Sequence, residues 1–167
     1  MTPFVSIIMG SKSDYESQMK FCAETLERFG VPYELLVASA HRTPERTKTY
    51  VKEAEAKGAQ IFICAAGMAA HLAGAVAAAT TKPVLGVPMT GGALNGVDAL
   101  YSTVQMPSGM PVGTVAIGKA GAINAAYLAT QILSLNNPEL AQKLLEDRRN
   151  MAAQVEKDSA AIEVRLK

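Results

Sequence analysis

Two stretches of this sequence pair ionisable or anion-binding side chains with helix-start signals. Ser39-Ala40-His41-Arg42-Thr43-Pro44 places an imidazole beside a guanidinium at the entry to a helix. Arg42 can fork onto a phosphate or carboxylate, and an imidazole exchanges protons near neutral pH. A surface ion pair and a half-exposed histidine would read the same way, but a cation at a helix N-terminus is poorly placed without an anion. Gly10-Ser11-Lys12-Ser13-Asp14 offers hydroxyls and backbone N–H groups at another helix start, which suits phosphate, although Ser and Asp are also ordinary helix caps. Ala65-Ala66-Gly67-Met68-Ala69-Ala70-His71 has few side chains larger than a methyl, so backbone can approach a ligand closely. His71 is one of only two histidines. A lone histidine in apolar surroundings is more often a hydrogen-bonded core residue than a catalyst. What makes His71 a candidate is that both histidines follow strand ends, those of the second and third strands in the chain.

These loops need elements to hold them in register. Apolar runs at Phe4–Met9, Tyr33–Ala38, Gln60–Ala65, Val84–Val87 and Thr114–Ile117 read as strands, and helical segments fill the gaps. Tyr15, Met19, Cys22, Leu26 and Phe29 recur on one helix face, Ser13 and Glu16 have capping-box spacing, and Gly30 with Pro32 ends the helix. Thr43 stands where it can cap a helix beginning at Pro44, and Gly58 closes it. Further helices are expected over Ala69–Ala79, Leu94–Val104 and Ala122–Leu135. Apolar strands alternating with helices predict an α/β fold: a three-layer αβα sandwich around a doubly wound, parallel five-stranded sheet. With flavodoxin-like order 2-1-3-4-5, the loops after the first three strands meet at the switch point, where such sheets bind ligands. Asn137-Pro138-Glu139 starts a C-terminal helix whose Leu145, Ala152, Val155, Ser159, Ile162 and Leu166 form a heptad-like stripe. The division expected is one catalytic domain over 1–167, with a doubly wound core over 1–135 and a helical extension over 136–167 that meets a neighbouring subunit.

The bulk properties narrow the partners. The chain has 167 residues, 49% of them hydrophobic, and a formal charge of +1, which disfavours nucleic acid as a partner and disfavours disorder. Cys22 and Cys64 have neither disulfide nor metal-ligand spacing, so no metal site and reduced thiols are expected. Ile61–Ala79 is uncharged and long enough to span a membrane, but it is mostly Ala and Gly with His71 near its middle, so no membrane role is expected. Met1-Thr2-Pro3 leads straight into a strand without an export signal, so a cytoplasmic location is expected. Neither the phosphate-loop pattern of nucleotide hydrolases nor the Gly-x-Gly-x-x-Gly pattern of dinucleotide folds occurs, which disfavours ATP and NAD. A flavin-binding or signalling module on the same fold is the alternative of another class.

Six segments in fixed order then carry a resemblance over nearly the whole chain. They are Met9-Gly10-Ser11-Lys12-Ser13-Asp14, the Ser39–Pro44 stretch, Ala69-Ala70-His71-Leu72, Gly86-Val87-Pro88, Val104-Gln105-Met106-Pro107 and Ala116-Ile117-Gly118-Lys119-Ala120-Gly121. The chain resembles the catalytic-subunit family of phosphoribosylaminoimidazole carboxylase from purine biosynthesis, in its bacterial 5-carboxyaminoimidazole ribonucleotide mutase form. The resemblance implies a small-molecule ribonucleotide substrate, no cofactor and a homo-octamer. It implies that Ser11, Ser13, Asp14, Ser39 and Arg42 hold the phosphoribosyl group, with Asp14 on the ribose. It implies His41 as general acid and base, His71 as its catalytic companion, and Gly67, Ala70 and Leu72 as further substrate contacts. Gly67 and Gly91-Gly92-Ala93 would wall in carbon dioxide. The sequence departs from the family pattern at Met68, Ala73, Thr90 and Gly91, which bears on pocket shape and on contacts to the imidazole. A branch that carboxylates aminoimidazole ribonucleotide directly carries Ser-Asn-Gly near Ala70-His71-Leu72, so the retained His71 favours the mutase.

Overall fold

The computed structural model describes residues 2–166. They divide into two compact units, Met1–Thr130 and Gln131–Lys167. The first unit holds the sheet: β1 (Phe4–Met9), β2 (Tyr33–Val37), β3 (Ala59–Ala66), β4 (Val84–Pro88) and β5 (Gly113–Thr114). Their order is β2-β1-β3-β4-β5 and every pairing is parallel, as the uninterrupted apolar runs require. All of β1 is buried, and Val5, Ile7, Ile8, Ile61, Phe62 and Ile63 are wholly shielded from solvent. At roughly 25 cal/mol per Å² of apolar surface removed from water, this burial dominates the stability of the sheet.

The register aligns the loops. Met9 pairs with Val37 on one side and Ala65 on the other, and Ala66 pairs with Pro88. The chains leaving β1, β2, β3 and β4 therefore start at one rim. Backbone bonds continue the ladder one step further: Ala38 N–H donates to Met9 at 2.9 Å, Gly10 N–H to Ala65 at 3.0 Å, and Met89 N–H to Ala66 at 2.9 Å.

The helices of this unit are α1 (Lys12–Asp14), α2 (Lys20–Phe29), α3 (Pro44–Lys57), α4 (Leu72–Ala77), α5 (Val97–Val104) and the greater part of α6 (Gly118–Ser134). Between α1 and α2 the backbone takes one π-helical turn over Tyr15–Met19. Gly30 and Gly58 close α2 and α3 with φ of 72° and 109°, as expected of C-terminal glycines. The expected pairing of Ser13 with Glu16 gives way to a cap two residues earlier, because Ser11 is the N-cap and accepts from the Ser13 N–H at 3.3 Å. Thr43 occupies the N-cap of α3, but its hydroxyl turns back to Ser39 instead of capping the helix.

Three helix boundaries differ from expectation, the first two for backbone reasons. α4 starts at Leu72 instead of Ala69, because the turn at Gly67-Met68 puts Met68 at φ 55° and diverts the chain. α5 starts at Val97 instead of Leu94, because Asn95 and Gly96 are left-handed at φ 49° and 90°. α6 starts at Gly118, four residues early, and β5 correspondingly ends at Thr114. The Ile61–Ala79 stretch is β3, a tight turn and α4, and among the described residues no helix is long and apolar enough to cross a membrane.

The second unit begins inside α6 and contains α7 (Pro138–Ile162), 25 residues long. The Asn137 side chain caps α7 by accepting from Leu140 N–H at 3.1 Å, and Pro138 occupies the first turn. Pairs four residues apart, Glu139 with Lys143 and Gln154 with Asp158, line its surface. Leu145, Met151, Val155 and Ile162 are exposed, and Leu166 lies past the end of the helix.

Candidate active site

A cavity of about 570 Å³ opens at the rim where the four strands end. Gly10, Ser11, Ser13 and Asp14 line it from the β1 loop, Ser39, Ala40, His41 and Arg42 from the β2 loop, and Gly67, His71 and Leu72 from the β3 loop and α4. The structure thus brings together the three loops that the sequence singles out. Of the expected positions, Ala70 and Ala93 do not line the cavity; Ala70 is 2% exposed, buried behind its neighbours.

The β1 loop is organised by hydroxyls. Ser11 Oγ and Ser13 Oγ lie 2.8 Å apart, and the Ser17 hydroxyl donates to the Ser13 carbonyl at 2.8 Å. Asp14 follows in the same turn, where partial burial raises its carboxyl pKa and a backbone hydrogen bond with Ser11 partly opposes the rise. In the β2 loop, Ser39 Oγ accepts from Arg42 N–H at 3.1 Å. Thr43 Oγ1 both accepts from Ser39 N–H at 2.9 Å and donates to the Ser39 carbonyl at 3.1 Å, which closes the loop on itself. Arg42 Nη2 donates to the Gly10 carbonyl at 3.2 Å, so the guanidinium spans from β2 to β1 with donors left for an anion.

The two histidines meet. His41 Nε2 and His71 Nδ1 are 2.6 Å apart, with rings edge to face at 84° and centroids 4.8 Å apart. One ring donates and the other accepts, so a single hydrogen lies between them and fixes both imidazoles toward the cavity. A hydroxyl cradle, a guanidinium and a proton-sharing pair in one pocket can hold a phosphorylated small molecule and move protons on it. Buried elsewhere, Cys22 and Cys64 take no part, and desolvation pushes the Cys22 thiol up to about 12 and the Cys64 thiol higher still.

A profile of the AIR carboxylase family matches residues 4–154. The chain belongs to the AIR carboxylase family. Similar members include the N5-carboxyaminoimidazole ribonucleotide mutase of Escherichia coli (strain K12), 54% identical over 151 residues that cover 90% of this chain and 89% of that one. The enzyme of the same name from Pyrococcus horikoshii is 52% identical over 161 residues, covering 96% and 89%. The crystal structure of Treponema denticola PurE superposes with a TM-score of 0.87 at 30% identity, covering 97% of this chain and 99% of that chain. This AIR carboxylase family member therefore shares its architecture, including the C-terminal helix, with solved structures, and its sheet order is the expected one.

The cavity has a fourth wall, which strand-end reasoning does not reach but the resemblance implies: Thr90, Gly91 and Gly92, from the loop after β4, with Ala93 outside it. Gly91 and Gly92 have φ of 149° and 65°, and a Cβ on Gly92 would stand 3.5 Å from Met68 Cγ. The β3 and β4 loops therefore approach each other across the opening, where Met68 is 63% exposed. The run Gly91-Gly92 is the sequence signal for this wall. The supporting role of Thr43 has none, because the same residue reads equally well as a cap.

Proposed function

We propose that this chain is a 5-carboxyaminoimidazole ribonucleotide mutase of de novo purine biosynthesis, an isomerase that moves a carboxylate from the exocyclic nitrogen to ring carbon four. The observation that carries the reading is the His41–His71 contact at 2.6 Å beside the Ser11, Ser13, Ser39 and Arg42 cradle. The names and identities of the relatives support the same reaction. Ser13, Ser39 and Arg42 take the phosphate, with the N-terminus of the first helical segment favouring its charge, and Asp14 takes the ribose hydroxyls. Gly67 and Leu72 flank the heterocycle, with Ala70 behind them.

His41 then acts twice. It delivers a proton to the exocyclic nitrogen as the carbamate C–N bond breaks, which releases carbon dioxide and aminoimidazole ribonucleotide within the cavity. Carbon four attacks the carbon dioxide, and His41 takes the proton from that carbon to restore the aromatic ring. One imidazole so serves as acid and then base, and His71 holds it in place and shares its proton. The small residues Gly67, Gly91 and Gly92 leave room for the freed gas and limit water around it. The enzyme works in the cytoplasm as a homo-octamer, with the exposed apolar residues of α7 meeting neighbouring subunits.

The test is turnover by the purified protein, followed separately with 5-carboxyaminoimidazole ribonucleotide and with aminoimidazole ribonucleotide plus bicarbonate. Faster conversion of the first supports the mutase, and preference for the second transfers the assignment to direct carboxylation. His41→Asn should lower kcat by at least ~100-fold while leaving the ribonucleotide Kd within a few-fold, the scale expected for loss of a general acid–base. A variant that retains near-wild-type turnover refutes the role of His41.

A further inference from the structure

Gln18 is a buried amide, 7% exposed, whose bonds reach far beyond its own turn. It sits in the π-helical turn Tyr15–Met19 that follows the hydroxyl-rich β1 loop. A π-turn adds one residue to the helical repeat and re-aims the side chains around it, and such turns concentrate at functional sites. Here the re-aimed side chain crosses to the β4 loop, where Gln18 Oε1 accepts from the backbone N–H of Thr90 at 3.2 Å. Thr90 begins the fourth wall of the cavity, one residue after the Met89–Ala66 bond that ends the ladder.

The other end of the amide returns to the β1 loop. Gln18 Nε2 donates to Ser17 Oγ at 3.2 Å, and Ser17 Oγ donates to the Ser13 carbonyl at 2.8 Å. An unbroken path of hydrogen bonds therefore runs from Ser13 through Ser17 and Gln18 to Thr90. A third segment seals the joint. A Cβ on Gly118 would stand 3.0 Å from Gln18 Oε1 and 3.1 Å from Thr90 Cγ2, and its φ of 74° favours glycine as well.

We propose that Gln18 is a positioning residue for carboxylate transfer: it fixes the Thr90-Gly91-Gly92 wall against the β1 loop, so that freed carbon dioxide is held until carbon four recaptures it. Gln18 touches no reacting atom and acts through the loop it holds. Two consecutive glycines give that loop little stiffness of its own, and the amide anchors it next to its most flexible point. The role in recapture rests on the mutase reading above, whereas the anchoring of Thr90 does not.

Gln18→Met tests it, since the thioether side chain keeps the length and bulk without supplying the two amide hydrogen bonds. The variant should show a kcat about tenfold lower with little change in KM for the ribonucleotide, the pattern of lost positioning after binding. A larger share of turnovers should end as aminoimidazole ribonucleotide and free carbon dioxide. Deuterium exchange at the Thr90 amide should quicken about tenfold, as its acceptor is gone. Gln18→Glu, which keeps an acceptor for Thr90, should recover most of the product partition. A Gln18→Met protein with wild-type kcat and partition overturns the proposal, and so does one that loses thermal stability while both stay unchanged. If Gln18→Met does not fold, the wild-type protein decides: the Thr90 amide must exchange more slowly than those of Gly91 and Gly92, and equal rates overturn the anchoring. A wild-type protein that leaves the carbamate substrate untouched sinks the mutase reading instead, and the exchange comparison then still decides whether Gln18 anchors the wall.

Discussion

Asp14 lies partly buried at the cavity edge with its carboxyl pKa raised by desolvation, and that direction has a consequence for stability. A carboxyl whose folded pKa exceeds its unfolded value binds protons more tightly in the native state, so native stability falls as pH rises between the two values. The penalty is absent below the unfolded pKa and complete above the folded one. Asp14→Asn should therefore raise Tm at pH 7 and leave it unchanged near pH 3, measured by thermal unfolding at both values. The same change should raise KM for the ribonucleotide, since the amide loses the negative charge proposed to meet the ribose hydroxyls. A residue that weakens the fold while serving the ligand is a common signature of function. His41 shows the same logic in geometry, because its contact with His71 fixes a ring that no core packing would hold.

At the scale of elements, close approach sets the tolerance of the scaffold. A Cβ on Gly121 in the first turns of α6 would stand 1.6 Å from the Ala116 carbonyl oxygen, a distance no rotamer can relieve. Gly121→Ala should cost at least ~3 kcal/mol, or prevent folding, by the measure of chemical denaturation midpoints. In α2, Leu26 is fully buried within the apolar face predicted from its spacing. Leu26→Ala should cost about 2–5 kcal/mol in the same experiment, from lost transfer energy and the cavity left behind. Neither substitution touches the pocket, so any folded fraction should retain the wild-type KM.

For the whole molecule, the exposed apolar residues set the expectation. Met151, Val155 and Ile162 on α7 would each be solvated in an isolated chain, an arrangement that favours a partner. Light scattering of the purified protein should give the mass of an octamer, and Met151→Glu with Val155→Glu should lower it while circular dichroism keeps its helical signal. An octamer that survives both charges would place the interface elsewhere. Every residue of this chain assigned to the pocket belongs to the Met1–Thr130 unit.

The layered α/β architecture and three of the four cavity loops are legible from residue types alone, whereas the strand order comes from likeness to flavodoxin-like sheets and the fourth loop from the family resemblance. Strands buried on both faces must be continuously apolar, and a hydroxyl-rich or cationic loop at a helix start advertises an anion whatever the rest of the fold does. The C-terminal residues of the strands also fixed which loops share a rim, once the order was set. What the chain did not disclose depends on contacts between distant segments. The 2.6 Å meeting of His41 with His71 and the reach of Gln18 to Thr90 join residues 30 and 72 positions apart. Helix starts at Leu72 and Val97 lie beyond the propensity pattern because left-handed backbone at Met68, Asn95 and Gly96 overrides it. Local sequence determines which backbone shapes and chemistries are available; only the packed sheet decides which side chains come within hydrogen-bonding distance, because angstrom-scale placement arises from the sum of all its contacts.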